Sequence, residues 1–129
     1  MTDTTSARLA MVTIDCLDAQ VEAHFWAALL GGEVQHAERD YAMVSATGVT
    51  IGFGRTEDFV APAWPDRDGR KQFHFDLAVA DIDAAVERAV ELGASLPEHQ
   101  PAQDEGGTWR VLLDPAGHPF CLTDEKNWG

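Results

Sequence analysis

The sequence is poor in cysteine, in basic residues and in long apolar runs. Its 2 cysteines, Cys16 and Cys121, lie in separate apolar segments, which argues against a disulfide or a cysteine-based zinc site. The 9 Lys and Arg residues against 22 Asp and Glu residues give a formal net charge of −13, which repels nucleic acid phosphates and anionic lipids. No stretch approaches the roughly 18 apolar residues of a membrane span. We therefore expect reduced thiols and neither a nucleic acid nor a membrane as partner.

The composition is that of an ordinary globular domain. Hydrophobic residues make up 45% and charged residues 24% of 129 residues, which suits one domain with one core. The first residues, MTDTTSAR, contain no basic region that leads into an apolar run, so we expect a frayed tail and no secretion signal. These features predict a single cytoplasmic domain over residues 1–129.

One series of elements is predicted twice. A strand over 9–17 leads to Asp18, which caps a helix over about 18–30 that ends at Gly31 and Gly32. The apolar face of this helix is predicted to contain Val21, Phe25, Ala28 and Leu29. Three strands follow, at 34–37, 41–46 and 49–55.

The second copy follows a connector over about 57–71 that is rich in proline, glycine and charge. The strand FHFDLAV leads to Asp81, which caps a helix that Gly93 ends, and strands are predicted near 95–96, 108–113 and 119–123. Met11 precedes Asp18 by the same interval as His74 precedes Asp81, so both halves enter their helices in the same register. The sequence predicts two modules, over about 8–56 and about 72–125.

Three segments carry a resemblance to a known family: DCLDAQVEAHFWAALLGGEV at 15–34, HFDLAVADIDAAVERAVELGA at 74–94 and DPAGHPFCL at 114–122. Over residues 8 to 124 the chain resembles the vicinal oxygen chelate superfamily of glyoxalases, bleomycin-resistance proteins and dioxygenases, and in particular a glyoxalase-like subgroup. The resemblance implies an α+β fold, in which two βαβββ modules form a curled eight-stranded mixed sheet around a cup. It also implies a homodimer, because the superfamily pairs modules within or between chains.

In metal-dependent members of that superfamily, four inward residues, usually His, Gln or Glu, hold a divalent ion. The corresponding positions here are Met11, Gly52, His74 and Cys121, and only His74 matches the usual choice. Gly52 has no side chain, and the thioether of Met11 suits copper(I) rather than harder divalent ions. Since a useful site needs three or four protein ligands, we expect no metal and no cofactor.

The cup is predicted from strand periodicity and from the resemblance together. Alternation places Met11, Thr13 and Asp15 on one face, and the resemblance adds a second set to that face, namely His74, Asp76 and Cys121. His74 with Asp15 or Asp76 has the chemistry of an acid-base pair, although hydrogen bonds that serve only the structure are the favoured explanation of these residues.

Two tryptophans and a cysteine complete the candidate site. Trp64 in the connector and Trp109 on a strand are candidates for stacking on a planar ligand, and each is also compatible with simple packing. No basic residue adjoins Cys121 in sequence to lower its pKa, so this cysteine is predicted to be a small buried apolar residue.

The first functional hypothesis is a metal-independent protein that binds or sequesters a small organic molecule. Asp15 and Asp76 favour a neutral or cationic ligand with an aromatic portion. The alternative is a lyase, isomerase or hydrolase that uses His74 with Asp15 or Asp76, and a third hypothesis is metal-dependent glyoxalase or dioxygenase chemistry. The sequence leaves open whether the protein is an enzyme, and it does not name the ligand.

Overall fold

The computed structural model describes residues 6–64, 70–101 and 108–128. The elements of the first half are β1 (Val12–Cys16), α1 (Ala19–Leu30), β2 (Glu33–Ala37), β3 (Tyr41–Ala46) and β4 (Val49–Arg55). Those of the second half are β5 (Asp76–Val79), α2 (Ile82–Leu92), β6 (Trp109–Leu113) and β7 (Pro119–Asp124), followed by a 3-10 turn over Glu125–Trp128. Most of the expected frayed tail lies outside the described residues. Neither helix of the described chain is long and apolar enough to cross a bilayer.

The strands form two sheets that share one pattern. The first sheet has the order β1-β4-β3-β2, in which β1 runs parallel to β4 and the other pairs are antiparallel. The second has the order β5-β7-β6, in which β5 runs parallel to β7 and β6 is antiparallel to β7. In each half the strand before the helix therefore pairs with the last strand, and the predicted α+β class is confirmed.

The number of strands differs from the predicted eight-stranded sheet. The described residues form seven strands in two sheets of four and three, and no ladder joins the sheets to each other. The strand expected near 95–96 is reduced to one bridge, in which Ser95 and Leu113 exchange two backbone hydrogen bonds of 2.9 Å. Pro97 follows closely and has no N–H group with which to continue a ladder.

The helix ends agree with the predicted capping residues. Asp18 Oδ1 accepts hydrogen bonds from the backbone nitrogens of Gln20 and Val21, at 3.0 and 3.2 Å. Asp81 Oδ1 accepts one from the nitrogen of Ala84 at 3.1 Å. The first helix ends at Gly31 with a φ of 65°, in the left-handed region that favours glycine.

The buried face of α1 agrees with the predicted one at Phe25 and Leu29 and differs from it at Val21 and Ala28. Val21 is 50% exposed and Ala28 is exposed, whereas the helix buries Ala19, Glu22, Ala23, Phe25, Trp26 and Ala27. The reason is that α1 packs against both halves of the chain. The Trp26 ring lies 5.4 Å from the ring of Phe75 and 4.9 Å from that of Phe120, centroid to centroid. The core thus continues from the first half into the second.

Candidate functional site

A cleft of about 650 Å³ lies beside β1, next to the segment that leads into β5. Its walls are largely aromatic, and they include Trp26, Phe59, Phe73, Phe75 and Phe120. The polar side chains among its lining residues are Thr13, Asp15, His74, Asp114 and His118. Of the predicted site residues, Met11, Thr13, Asp15 and His74 line this cleft, whereas Gly52, Trp64, Asp76, Trp109 and Cys121 do not.

The turn before β7 fixes one wall of the cleft. Asp114 Oδ1 accepts hydrogen bonds from the backbone nitrogens of Ala116 and His118, at 3.0 and 2.9 Å. His118 Nε2 lies 2.7 Å from the carbonyl oxygen of Asp15, to which it must donate because a carbonyl only accepts. The Phe59 ring packs at 5.2 Å from the His118 ring. A single turn therefore ties β1, β7 and the connector together.

His74 is held between a carbonyl group and a carboxylate. Its Nδ1 lies 3.0 Å from the carbonyl oxygen of Gln72, and its Nε2 lies 3.4 Å from Asp76 Oδ1. Because the carbonyl only accepts, Nδ1 carries a proton, and in the neutral ring Nε2 then holds a lone pair. Nε2 donates to Asp76 only when it also carries a proton, so the ion pair of His74 with Asp76 requires the imidazolium form. The structure records no ion pair between His74 and Asp15 among the described residues.

Cys121 lies next to that pair, and its thiol is unreactive. Asp76 is the register partner of Cys121 on β5 and β7, and Cys121 is only 1% exposed. Burial raises the pKa of the Cys121 thiol to about 12; the Asp76 carboxylate also raises it, while the charge of Lys71 acts in the opposite direction. The thiol is therefore protonated at neutral pH and is not a nucleophile.

The four positions that correspond to the superfamily's metal ligands do not fit a hard divalent ion. A Cβ atom on Gly52 would lie 2.9 Å from Met11 Sδ, so the thioether fills the space above the glycine. The Tyr41 hydroxyl contacts the same sulfur at 3.8 Å. The first half thus supplies no oxygen or nitrogen ligand from these positions.

The second half contains a different group of donor atoms. One ligand atom each from His74, Asp76 and Cys121 lies within 4.8 Å of the other two. Cys121 would have to lose its proton before it could bind an ion, and its burial opposes that loss. This set is the nearest that the described residues come to a metal site, and we assign no chemistry to it.

The two candidate tryptophans contact a lysine instead of lining the cleft. Lys71 Nζ lies 5.6 Å from the Trp64 ring centroid and 5.2 Å from that of Trp109. Trp64 also lies 6.0 Å from the His99 ring, and its Nε1 is buried with no hydrogen-bond acceptor among residues 6–64, 70–101 and 108–128. The sequence predicts that Lys71 lies in the connector, which has no strand or helix periodicity. The contact of Lys71 with the two tryptophans could therefore not be predicted from periodicity.

A buried pair of carboxyl groups was also missed. Glu22 is 1% exposed and Asp114 is 2% exposed, and Glu22 Oε1 accepts a hydrogen bond of 2.9 Å from the nitrogen of Ala116. Burial, together with the hydrogen bond to Asp114, raises the pKa of Glu22 to about 9. The signal in the sequence is that Glu22 shares a helical face with Ala19, Ala23 and Trp26.

Comparisons with known proteins place the chain among small glyoxalase-like domains. The family model described as "Glyoxalase-like domain" matches residues 11–123. A glyoxalase/bleomycin resistance protein/dioxygenase family enzyme from Burkholderia phytofirmans is 18% identical, with 92% of this chain and 98% of that chain covered and a TM-score of 0.69. A bleomycin-binding protein from Streptomyces verticillus, complexed with copper(II)-bleomycin, is 20% identical, with 96% and 98% covered and a TM-score of 0.54. At these identities the likeness shows the fold.

A curated relative matches a shorter segment. The anthracycline biosynthesis protein DnrV of Streptomyces peucetius is 48% identical over 48 residues. This segment is 37% of the present chain and 17% of that protein. The match therefore concerns a small part of the relative's length.

Proposed function

The chain belongs to the glyoxalase-like domain family, and we propose that it binds a small organic molecule with an aromatic portion in the cleft beside β1. The observation that carries the proposal is a cleft of about 650 Å³ with aromatic walls and a few polar groups. Ligand sites usually have this combination of apolar lining and few polar contacts, at volumes of roughly 300 to 1,000 Å³.

The lining residues suggest how such a ligand is held. The Phe73 side chain lines the cleft and is fully exposed, with a relative accessibility of 105%. A bound aromatic ring would cover Phe73 and remove its apolar surface from water. The Asp15 carboxylate and the net charge of −13 favour a neutral or cationic ligand.

Two relatives support a natural-product ligand. One is described as bleomycin-binding, and the other takes part in anthracycline biosynthesis. Both names concern organic molecules that Streptomyces species make. We infer that the present chain binds, and thereby sequesters, a molecule of this kind.

We propose further that binding needs no metal, because Met11 fills the space above Gly52 and the remaining positions give too few ligands. We also propose that the protein is a homodimer, as the superfamily resemblance implies. A cytoplasmic location remains our proposal from the composition of the sequence.

The test is a fluorescence titration with an anthracycline such as doxorubicin, performed with the full chain in the presence of a chelator. We expect saturable binding, and we expect Phe73→Ala to weaken it about tenfold, since a contact of about 1.4 kcal/mol is lost. Thr13→Trp should abolish binding by filling the cleft. The control is Val60→Ala, because Val60 is 84% exposed and does not line the cleft. Affinity that is the same in all three variants would refute the proposal.

An acid-base enzyme is the second candidate, and the position of His74 favours it. In the neutral ring the Nε2 lone pair is available as a general base, and Asp76 at 3.4 Å stabilises the imidazolium that forms after proton transfer. If this candidate is correct, His74→Ala lowers kcat strongly and changes ligand affinity little. If the protein only binds its ligand, no turnover is detected in the wild-type protein.

A further inference from the structure

Two residues of the connector, Trp64 and Lys71, form a cluster with Trp109 of β6. The ammonium group of Lys71 lies between two indole rings, at 5.6 Å from the centroid of Trp64 and 5.2 Å from that of Trp109. We refer to these residues as the lysine-indole cluster. None of them lines the cleft, so the cluster is a feature separate from the site of the proposed function.

Two hydrogen-bond donors of the cluster have no acceptor in the part of the chain that the structure describes. The Nε1 atom of Trp64 is buried without a hydrogen-bond partner among the described residues, an uncommon state for a buried donor. No ion pair joins Lys71 to a carboxylate within residues 6–64, 70–101 and 108–128, and the ring faces stabilise its charge instead. An ionised acid supplies acceptor oxygens to both groups.

The backbone beside Lys71 is held in an unfavourable conformation. Gln72 has a φ of 60°, which residues with a side chain adopt rarely. The hydrogen bond from His74 Nδ1 to the Gln72 carbonyl oxygen, at 3.0 Å, stabilises this turn. The chain therefore retains a strained residue at the point that sets the position of Lys71, and such strain is concentrated at functional sites.

The charge expected of a ligand follows from the ammonium group of Lys71, which lies over both indole rings of the cluster. Two indole faces attract a cation, but here the ammonium group of Lys71 occupies that position. A cationic ligand would meet a like charge, whereas an acid would meet an opposite one. The charge of Lys71 also reaches the nearby strand β7, where it acts to lower the pKa of Cys121.

We propose that the lysine-indole cluster binds the acid group of a planar aromatic acid. The acid oxygens accept hydrogen bonds from the ammonium group of Lys71 and from the indole N–H of Trp64, which becomes accessible by a small rotation of the ring. The planar part of the ligand packs beside Trp109. In a chain with a net charge of −13, this local positive charge makes the cluster selective for an acid that the surrounding surface repels.

The experiment compares three probes that share one ring system: 2-naphthoate, 2-naphthylmethanol and 2-naphthylmethylamine. Isothermal titration of the full chain should show that the acid binds about tenfold more tightly than the alcohol, and that the amine binds most weakly. Lys71→Met should reduce the affinity for 2-naphthoate to that for the alcohol, and Lys71→Arg should retain most of it. Trp64→Phe, which keeps a ring but removes the N–H group, should weaken acid binding about fivefold.

The matched control is Lys126→Met, which removes one positive charge from an exposed residue of the 3-10 turn and should leave all three affinities unchanged. The proposal is wrong if the acid binds no better than the alcohol, or if Lys71→Met and Lys71→Arg weaken all probes equally. It is also wrong if Thr13→Trp, which fills the cleft, abolishes binding of 2-naphthoate. That last result would leave the proposed function of the cleft intact, so the two proposals fail separately.

Discussion

The indole nitrogen of Trp26 donates a hydrogen bond of 3.0 Å to Asp114 Oδ2 in the interior of the protein. Trp26 lies on the helix of the first half, and Asp114 begins the turn that leads into the last strand of the second half. Glu22, one helical turn before Trp26, contacts the same carboxylate. A polar network thus joins the two halves within an otherwise apolar core, and it borders the cleft because both Trp26 and Asp114 line the cleft.

The first prediction concerns the pH dependence of stability. The pKa of Glu22 is raised from 4.5 to about 9 in the folded state, so its contribution to stability is complete below about pH 4.5 and is lost as the pH rises towards 9. Each bound proton changes the free energy of unfolding by up to about 1.4 kcal/mol per pH unit in this range. Glu22→Gln keeps an oxygen for the Ala116 nitrogen and supplies an N–H donor to Asp114, without a titrating group.

Urea unfolding of the wild-type protein and of Glu22→Gln, at pH values from about 5 to about 8.5, checks this prediction. The stability of the variant relative to the wild type should increase with pH. A difference that stays constant over the range would show that the Glu22 carboxyl is not protonated in the folded protein.

The second prediction concerns the hydrogen bond of Trp26. Trp26→Phe should lower the free energy of unfolding by about 3 kcal/mol, because it leaves a cavity and removes the donor from buried Asp114. Trp128→Phe is the comparison, since Trp128 is 60% exposed and its indole nitrogen donates to the hydroxyl of Thr123. Chemical unfolding should show a much smaller loss for that variant, and equal losses would contradict a special role for the buried bond.

The third prediction compares alanine substitutions at two glycines of the first half, Gly32 and Gly54. A Cβ atom on Gly32 would lie 2.5 Å from the carbonyl oxygen of Ser45 and 2.6 Å from the Cβ of Ala46, whereas one on Gly54 would have no neighbour within 4 Å. Gly32→Ala should therefore lower the melting temperature markedly, with a cost of about 1 to 3 kcal/mol. Gly54→Ala should be neutral or stabilising by about 0.4 to 1 kcal/mol, because it restricts the unfolded chain. Differential scanning calorimetry of the two variants distinguishes these outcomes, and the reverse order would contradict the packing of β2 against β3.

The fourth prediction concerns the contact that closes the cleft wall. His118→Ala removes the hydrogen bond to the Asp15 carbonyl oxygen and the contact with the Phe59 ring. Doxorubicin affinity should fall several-fold, since the wall loses its connection to β1. The control is His24→Ala, because His24 is exposed on α1 and does not line the cleft. Equal affinities in the two variants would contradict this prediction.

The elements that the sequence predicted well are those set by local chemistry. Asp18 and Asp81 start the helices because short carboxylates accept bonds from free backbone N–H groups, and Gly31 ends one because it tolerates a positive φ. The segment DPAGHPFCL at 114–122 was predicted to be a turn that enters the last strand, and Asp114 organises that turn by accepting two backbone hydrogen bonds at Oδ1.

The features that the sequence predicted poorly depend on contacts between distant parts of the chain. The sequence pattern placed Val21 in the core but not its neighbour Glu22, whereas the structure exposes Val21 and buries Glu22. The sequence could not show this because only the fold brings Asp114 next to Glu22. Phe59, Phe73 and His118 line the cleft from loops, whose paths strand periodicity does not determine.

Cys16 and Cys121 lie in different sheets, one in each half, and both are buried free thiols. Burial raises the pKa of Cys16 to about 11 and that of Cys121 to about 12. A thiol-specific reagent at neutral pH therefore modifies either residue only during transient opening of its sheet. The wild-type chain accordingly carries one built-in reporter of local unfolding in each half, and mass spectrometry of the labelled peptides can time the opening of the two sheets independently.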